Sequence, residues 1–161
     1  MDARFGGRFC ALIAISQETR RLMKLDTARL LTLAKRYTAA WCSQDPESVA
    51  AFFAPDGSLG VNGVPAIGRS AITEVARGFM TAFPDMVLTM DDLVVSGDHA
   101  TYHWTLDGHN TGPNGTGKRV RISGYEEWQF GDDGLIAQSL GHFDEADYQR
   151  QLQYGFGESP T

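Results

Sequence analysis

The sequence predicts an α+β fold, a cone of three N-terminal helices packed on a strongly curved, mainly antiparallel sheet. Three observations lead there. Helical periodicities fill the first half of the chain, strand-like stretches separated by turn sequences fill the second, and 18 glycines suit a turn-rich, sheet-rich fold. A length of 161 residues, with 42% hydrophobic and 21% charged side chains, fits one domain with a sizeable core.

The elements follow in order. In "DTARLLTLAKRYTAAWCS", residues 26–43, Leu30, Leu33, Ala34, Tyr37, Ala40 and Trp41 recur at the spacing of an amphipathic helix, which Asp26 or Thr27 can cap. "DPESVAAFFAPDG" predicts a second helix: Asp45 caps it, Pro46 suits its first position, Val49, Phe52 and Phe53 face the core, and "PDG" turns the chain. A short strand at Ser58–Val61 and a "VNGVPAIG" turn lead to a third helix, "RSAITEVARGFMTAF", stopped by Pro84. "MVLTMDDLVVSG", "HATYHWTLDGHN", "KRVRISGYEEWQF" and "LIAQSLGHF" then read as strands joined through "SGD", "NTGPNGTG" and "GDDG". "DEADYQRQLQYG" closes the chain as a short helix or cover. The expected organisation is an extension over residues 1–22, one domain over 23–155 and a tail over 156–161. A bent sheet closed over by helices leaves a cone open at one end, and that is where a ligand would bind.

Composition excludes several classes. A formal net charge of −6 argues against a nucleic-acid partner, which would need a basic patch to displace phosphate counterions. The tight cluster Lys118, Arg119 and Arg121 reads as a solvated strand edge. Cys10 and Cys42 make neither a CxxC motif nor a disulfide framework, which fits a reduced, cytoplasmic protein. The apolar run "FCALIAI" falls short of the roughly 20 residues a bilayer span needs, so no membrane partner is expected. With Arg4 and Arg8 before it the run imitates a signal peptide, but it lacks a clear small-x-small cleavage site, and Met23 offers an alternative start.

One strand carries a carboxylate in an apolar stripe. Val120, Ile122, Trp128 and Phe130 share a parity, so they point to one face of an extended chain, and Glu126 points there with them. Such a stripe suggests the wall of a pocket rather than solid core. The opposing reading is a bulge at Gly124 that turns Glu126 outward into solvent. On the last strand Ile136, Gln138, Leu140, His142 and Asp144 also share a parity, and His142, titrating near 6.5 when unperturbed, can serve as acid or base. His142 as an ordinary rim histidine and Asp144 as the cap of the closing helix are the competing structural roles. Trp41, Trp104 and Trp128 are packing residues first and ligand-stacking surfaces second. His99 and His103, four apart on a strand, stand about 13 Å apart from rise alone, so no metal site is expected. "GPNGTGK" imitates a phosphate loop, but Arg119 stands where Ser or Thr is required and the segment joins two strands.

"RYTAAWCSQDPESVAAFFAPDG", "AFPDMVLTMDDLVVSGDHATYHWT", "TGPNGTGKRV", "SGYEEWQFGDDGLI" and "FDEADYQRQL", in this order and spacing, make the chain over about residues 27–152 resemble the nuclear-transport-factor-2-like superfamily. Within it the chain looks like the SnoaL-like polyketide cyclase and ketosteroid isomerase branch. The resemblance implies an oxyanion hole made by a helix-1 tyrosine and a neutral strand acid, positions filled by Tyr37 and Glu126. Tyr37 can instead be a core residue with its hydroxyl satisfied. The general base of those isomerases aligns near Val61, which has no carboxylate beside it, so that isomerisation route is not expected. Resembling cyclases and epoxide hydrolases carry an aspartate near the end of the last strand; the match falls within Gly141 to Asp144, and at Gly141 the aspartate would be missing. The Arg-x-Asp pair of the hydrolases is not evident in "TYHWTLD".

The expectation is a small enzyme acting without a cofactor, by acid–base chemistry, on a hydrophobic carbonyl compound, as a cyclase, isomerase or dehydratase. Tyr37 and Glu126 would polarise the ligand oxygen, His142 or Asp144 would move the proton, and Trp41, Trp104, Trp128 and Phe130 would shape the walls, with Val61, His103, Gln138 and Leu140 completing them. Epoxide hydrolysis is a subordinate version. The alternative is a non-catalytic binding or dimerisation domain, because fold alone does not give function. The resemblance also implies a homodimer formed through the outer sheet face.

Overall fold

The computed structural model describes residues 27–158. The expected extension over 1–22, the Asp26 cap and the last residues of the tail lie outside the described residues. The chain divides into two compact units, residues 1–33 and 34–161, and every site residue belongs to the second.

Residues 27–42 are helical (α1). There follow α2 (Pro46–Ala50), β1 (Phe53–Val61), β2 (Val64–Ile67), α3 (Arg69–Ala82), β3 (Val87–Ser96), β4 (His99–His109), β5 (Arg119–Phe130), β6 (Ile136–Phe143) and α4 (Glu145–Tyr154). The strands form one mixed sheet in the order β2-β1-β6-β5-β4-β3. All neighbours are antiparallel except β1 and β6, which run parallel. This is the α+β architecture that the sequence predicts, with the helices early and the meander late.

Three local differences have clear causes. The second helix stops at Ala50, and Phe53 is already in β1, so "PDG" lies within a strand rather than at a turn. Between the pairs Phe53↔Ile136 and Ser58↔Gln138 the β1 ladder slips, and this irregular stretch accommodates Pro55, which has no N–H to give to a ladder. Asp45 occupies the N-cap position of α2 but makes no side-chain cap bond; its own backbone N–H donates to Ser43 Oγ at 3.1 Å. "VNGVPAIG" is a hairpin instead of a plain turn. Asn62 and Gly63, at φ 48° and 85°, form the two-residue link that Asn-Gly favours, and β2 pairs back on β1.

The helices cover the inner face of the sheet. Ala34, Tyr37, Ala40 and Trp41 form the buried stripe of α1, while α3 buries Ile72, Ala76 and Met80. Tyr37 sits fully buried among the rings of Trp41, Phe52, Phe53, Tyr102 and Trp128, at centroid separations of 5.1–6.3 Å. Edge-to-face pairs of this kind add about 0.5–1.5 kcal/mol each beyond area burial. Trp128 stacks on Tyr102 at 4.7 Å, with only 13° between the planes. On the outer face the two arginines of the basic cluster share one carboxylate: Arg119 donates two bonds to Asp107, and Arg121 adds a third. Among the described residues no helix is long and apolar enough to cross a membrane, and no group of side chains is arranged to hold a metal ion.

Candidate functional site

The ladder aligns one row of residues across the inner face. Tyr102 on β4 pairs with Glu126 on β5, Glu126 with Gly141 on β6, and Gly141 with Val61 on β1. Pairing of β4 with β5 is unbroken from His99↔Gln129 to His109↔Arg119, so there is no bulge at Gly124 and the alternation holds. Glu126 therefore faces inward and is 6% exposed. Gly124 is needed for close approach: a Cβ there would meet His142 O at 2.3 Å and the Trp104 ring at 2.6 Å. Gly141 plays a similar part, since a Cβ on it would come within 2.9 Å of Gly60 O and 3.7 Å of Glu126 Cγ.

Over this row lies a cavity of about 60 Å³, walled by Trp41, Leu59, Val61, Val75, Phe79, Leu88, Tyr102, Trp104, Leu106, Ile122, Glu126 and Phe143 with Gly60 and Gly141. Glu126 is the only acidic or basic side chain in that wall. Its carboxyl is held from behind, because Tyr37, which does not reach the cavity, donates its hydroxyl to Glu126 Oε1 at 3.0 Å. Burial pushes the Glu126 proton affinity up from 4.5 to about 7, against the pull of Tyr37, Ser139 and Trp128 toward the ionised form. The Ser139 hydroxyl and Trp128 indole N–H are buried without a hydrogen-bond partner, so they favour the carboxylate without closing a bond on it. Burial first, and the Glu126 charge next, hold the Tyr37 phenol well above its ordinary range, so it stays a donor. Thr38 gives its hydroxyl proton to Ala34 O at 2.8 Å. The Tyr102 hydroxyl, 2.5 Å from Thr38 Oγ1, is then the donor of that pair.

Both tyrosine protons are thus spent inside the protein. The two-donor oxyanion hole implied by the resemblance is not the arrangement in place: Tyr37 orients Glu126 instead of facing a ligand. Of the other expected wall residues, Trp41, Val61 and Trp104 do line the cavity, whereas Trp128 is packed core beside it and Phe130, half-buried, packs against Trp128.

The last strand departs from its expected facing. Between Phe130↔Ile136 and Gln129↔Gln138 the register shifts by one residue, and a one-residue slip sends every later side chain to the opposite face. Ser139, Gly141 and Phe143 therefore follow Ile136 on the inner side, while Gln138, Leu140 and His142 turn outward. His142 pairs with Glu127 Oε2 through Nε2 at 2.9 Å on the exposed side of the sheet. Asp144 caps α4, accepting from the Asp147 N–H at 3.0 Å. The residue of β6 opposite Glu126 is Gly141, so no aspartate of this strand faces the cavity. His103 alternates with Trp104 and also lies outside, its ring 5.8 Å from that of Tyr125. Tyr102 and Leu106 share the parity of Trp104, and that signal could have found them.

A curved sheet roofed by helices over an apolar hollow with one buried acid defines a protein of the nuclear-transport-factor-2-like, ketosteroid-isomerase-like fold. The chain belongs to the SnoaL-like domain family, whose model matches residues 34–139. TsrD from Streptomyces laurentii is similar at 28% identity and TM-score 0.69, over 78% of this chain and 95% of that one. A SnoaL-like protein from Jannaschia sp. CCS1 shares the fold at 15% identity and TM-score 0.68, over 79% of this chain and 92% of that one. So does a ketosteroid-isomerase-like protein from Catenulispora acidiphila, solved with trimethylamine, at 19% identity and TM-score 0.65, over 78% and 95% of the two chains. No curated protein matches the sequence.

Proposed function

We propose that this protein is a small acid–base enzyme acting on a hydrophobic carbonyl compound, of the cyclase, isomerase or dehydratase type, with Glu126 as the group that takes and returns the proton. One observation carries the reading: a lone carboxyl, oriented by Tyr37 and balanced near neutrality by its burial, faces an apolar cavity. A general base works best when its proton affinity lies near the working pH. The Glu126 carboxylate would remove a proton from the carbon next to the ligand carbonyl, leaving an enolate. The resulting acid would return that proton to another carbon, to a departing hydroxyl, or to the alkoxide formed when the enolate attacks a second carbonyl. Epoxide hydrolysis is a subordinate version: neutral Glu126 would protonate the ring oxygen as water attacks the ring carbon, and the carboxylate would recover its proton from that water.

A non-catalytic binding domain is the second reading. It is favoured by the cavity's single acidic or basic group, since a neutral Glu126 can simply donate to a ligand oxygen. A free, exposed Cys42 supports a reducing, cytoplasmic setting. Val94, Tyr125 and Leu140, 51%, 38% and 41% exposed on the outer sheet face, support a homodimer formed there, which sedimentation would test against Leu140→Arg.

The test of function is hydrogen–deuterium exchange next to the carbonyl of linear and polycyclic ketones and β-keto esters, with epoxides as a parallel panel. Glu126→Gln should slow exchange by about 10²–10⁴-fold, and His142→Ala, on the outer face, should leave it unchanged. Equal rates with Glu126→Gln would refute the catalytic reading. Ketone binding without exchange would establish the binding domain.

A further inference from the structure

A second hollow adjoins the first. It lies between α3, the β1–β2 hairpin and the start of α4, measures about 700 Å³, and shares Val61, Val75, Phe79 and Phe143 with the inner cavity as common walls. Asn62 fixes its frame: its backbone N–H donates to Gly141 O at 2.9 Å, its Oδ1 accepts from the Phe143 N–H at 2.9 Å, and its Nδ2 donates to Glu145 Oε2 at 3.1 Å. The hairpin, the end of β6 and the first turn of α4 are thereby tied together around the opening.

The sizes of the two spaces are mismatched. The space beside Glu126, about 60 Å³, is less than a tenth of the groove's 700 Å³. A long hydrophobic carbonyl compound with its oxygen at Glu126 would have to extend into the adjoining groove. The outer walls are mainly apolar, including Val64, which is 70% exposed. The charged side chains of the groove are two carboxylates: Glu74, bonded by Arg77, and Glu145, whose oxygens accept from Asn62 and Gln149. Both disfavour an anionic occupant.

We propose that this groove holds the apolar body of an elongated, uncharged substrate whose carbonyl end passes between Phe79 and Phe143 to reach Glu126. The proposal rests on the reading of Glu126 as the group that meets the carbonyl. Phe79 and Phe143 then select for slenderness at the reacting end, the groove selects for length, and a carboxylate or phosphate at the distal end is rejected by the rim.

A ketone series separates the two ideas. 2-Butanone, 2-octanone, 2-dodecanone and 11-oxododecanoic acid would be titrated while following the ¹³C signal of the Glu126 carboxyl and the backbone amides of Val64 and Tyr148. All three neutral ketones should move the Glu126 signal, but only the longer two should move Val64 and Tyr148. Affinity should rise at least a hundredfold from 2-butanone to 2-dodecanone, and the keto acid should bind at least tenfold more weakly than the dodecanone. Val64→Glu should weaken 2-dodecanone about tenfold while 2-butanone binds as before. If 2-dodecanone bound no tighter than 2-butanone, or Val64→Glu affected both alike, the groove assignment would be overturned with the Glu126 reading intact. If 2-butanone left the Glu126 signal unmoved, that reading would fall and the proposal with it.

Discussion

Replacing Glu126 by Gln keeps the shape of the side chain and removes its titration, so the pair of proteins reports what one buried acid does to folding. In the folded chain Glu126 holds its proton up to about pH 7, against an ordinary value of 4.5. The sign follows from linkage: a folded pKa above the unfolded one gives a contribution that is full below about pH 4.5 and lost as pH rises through about 7. At about 1.4 kcal/mol for each pH unit between those limits, the wild type should lose roughly 2–3 kcal/mol relative to Glu126→Gln between pH 5 and pH 8. Asp85, Asp107 and Asp147 behave oppositely, because bonds to the His109 backbone, to Arg119 and to Arg150 respectively lead in holding them below the usual carboxylate range. Their contributions are lost only as pH falls further, and they cancel in the comparison. The measurement is urea unfolding of both proteins across that range. A stability difference that stays flat from pH 5 to pH 8 would mean that Glu126 ionises normally, and the acid–base reading would go with it.

Three further outcomes are expected. Tyr37→Phe removes a bond to the charged form, generally worth about 1.5–3 kcal/mol, so the Glu126 midpoint in a ¹³C titration should rise by about one to two pH units; an unmoved or lowered midpoint would show that the hydroxyl does not hold the carboxylate. Gly124→Ala should cost about 1–3 kcal/mol in denaturant unfolding, because its methyl group would overlap His142 O and the Trp104 ring. Asp144→Ala should cost about 1 kcal/mol through loss of the α4 cap, with ketone exchange rates unchanged; a drop in exchange would place Asp144 in the chemistry after all.

Much of this fold was legible because its elements obey simple periods. The β5 stripe places Glu126 on the inner face, since nothing interrupts its pairing with β4. The same reasoning fails on β6, where one extra residue after Ile136 exchanges the faces and takes His142 outside. No property of "LIAQSLGHF" marks that slip. It is a property of the partner strand and of the turn that joins them. The boundary near Phe52 and Phe53 was ambiguous for a different reason: a short apolar run suits a helix or a buried strand equally, and its pairing with β6 decides. The role of Tyr37 could not be read from its position on α1. Whether its proton goes to a ligand or to Glu126 depends on where a distant strand brings the carboxyl.

The parallel contact between β1 and β6 gives the order of assembly. A ribosome releases β1 long before β6 exists, and hairpins such as β3–β4 can close within neighbouring sequence while β1 cannot meet β6. Val61 and Gly141 become neighbours only when the final strand docks, so the hollow containing Glu126 should be among the last parts of the molecule to form.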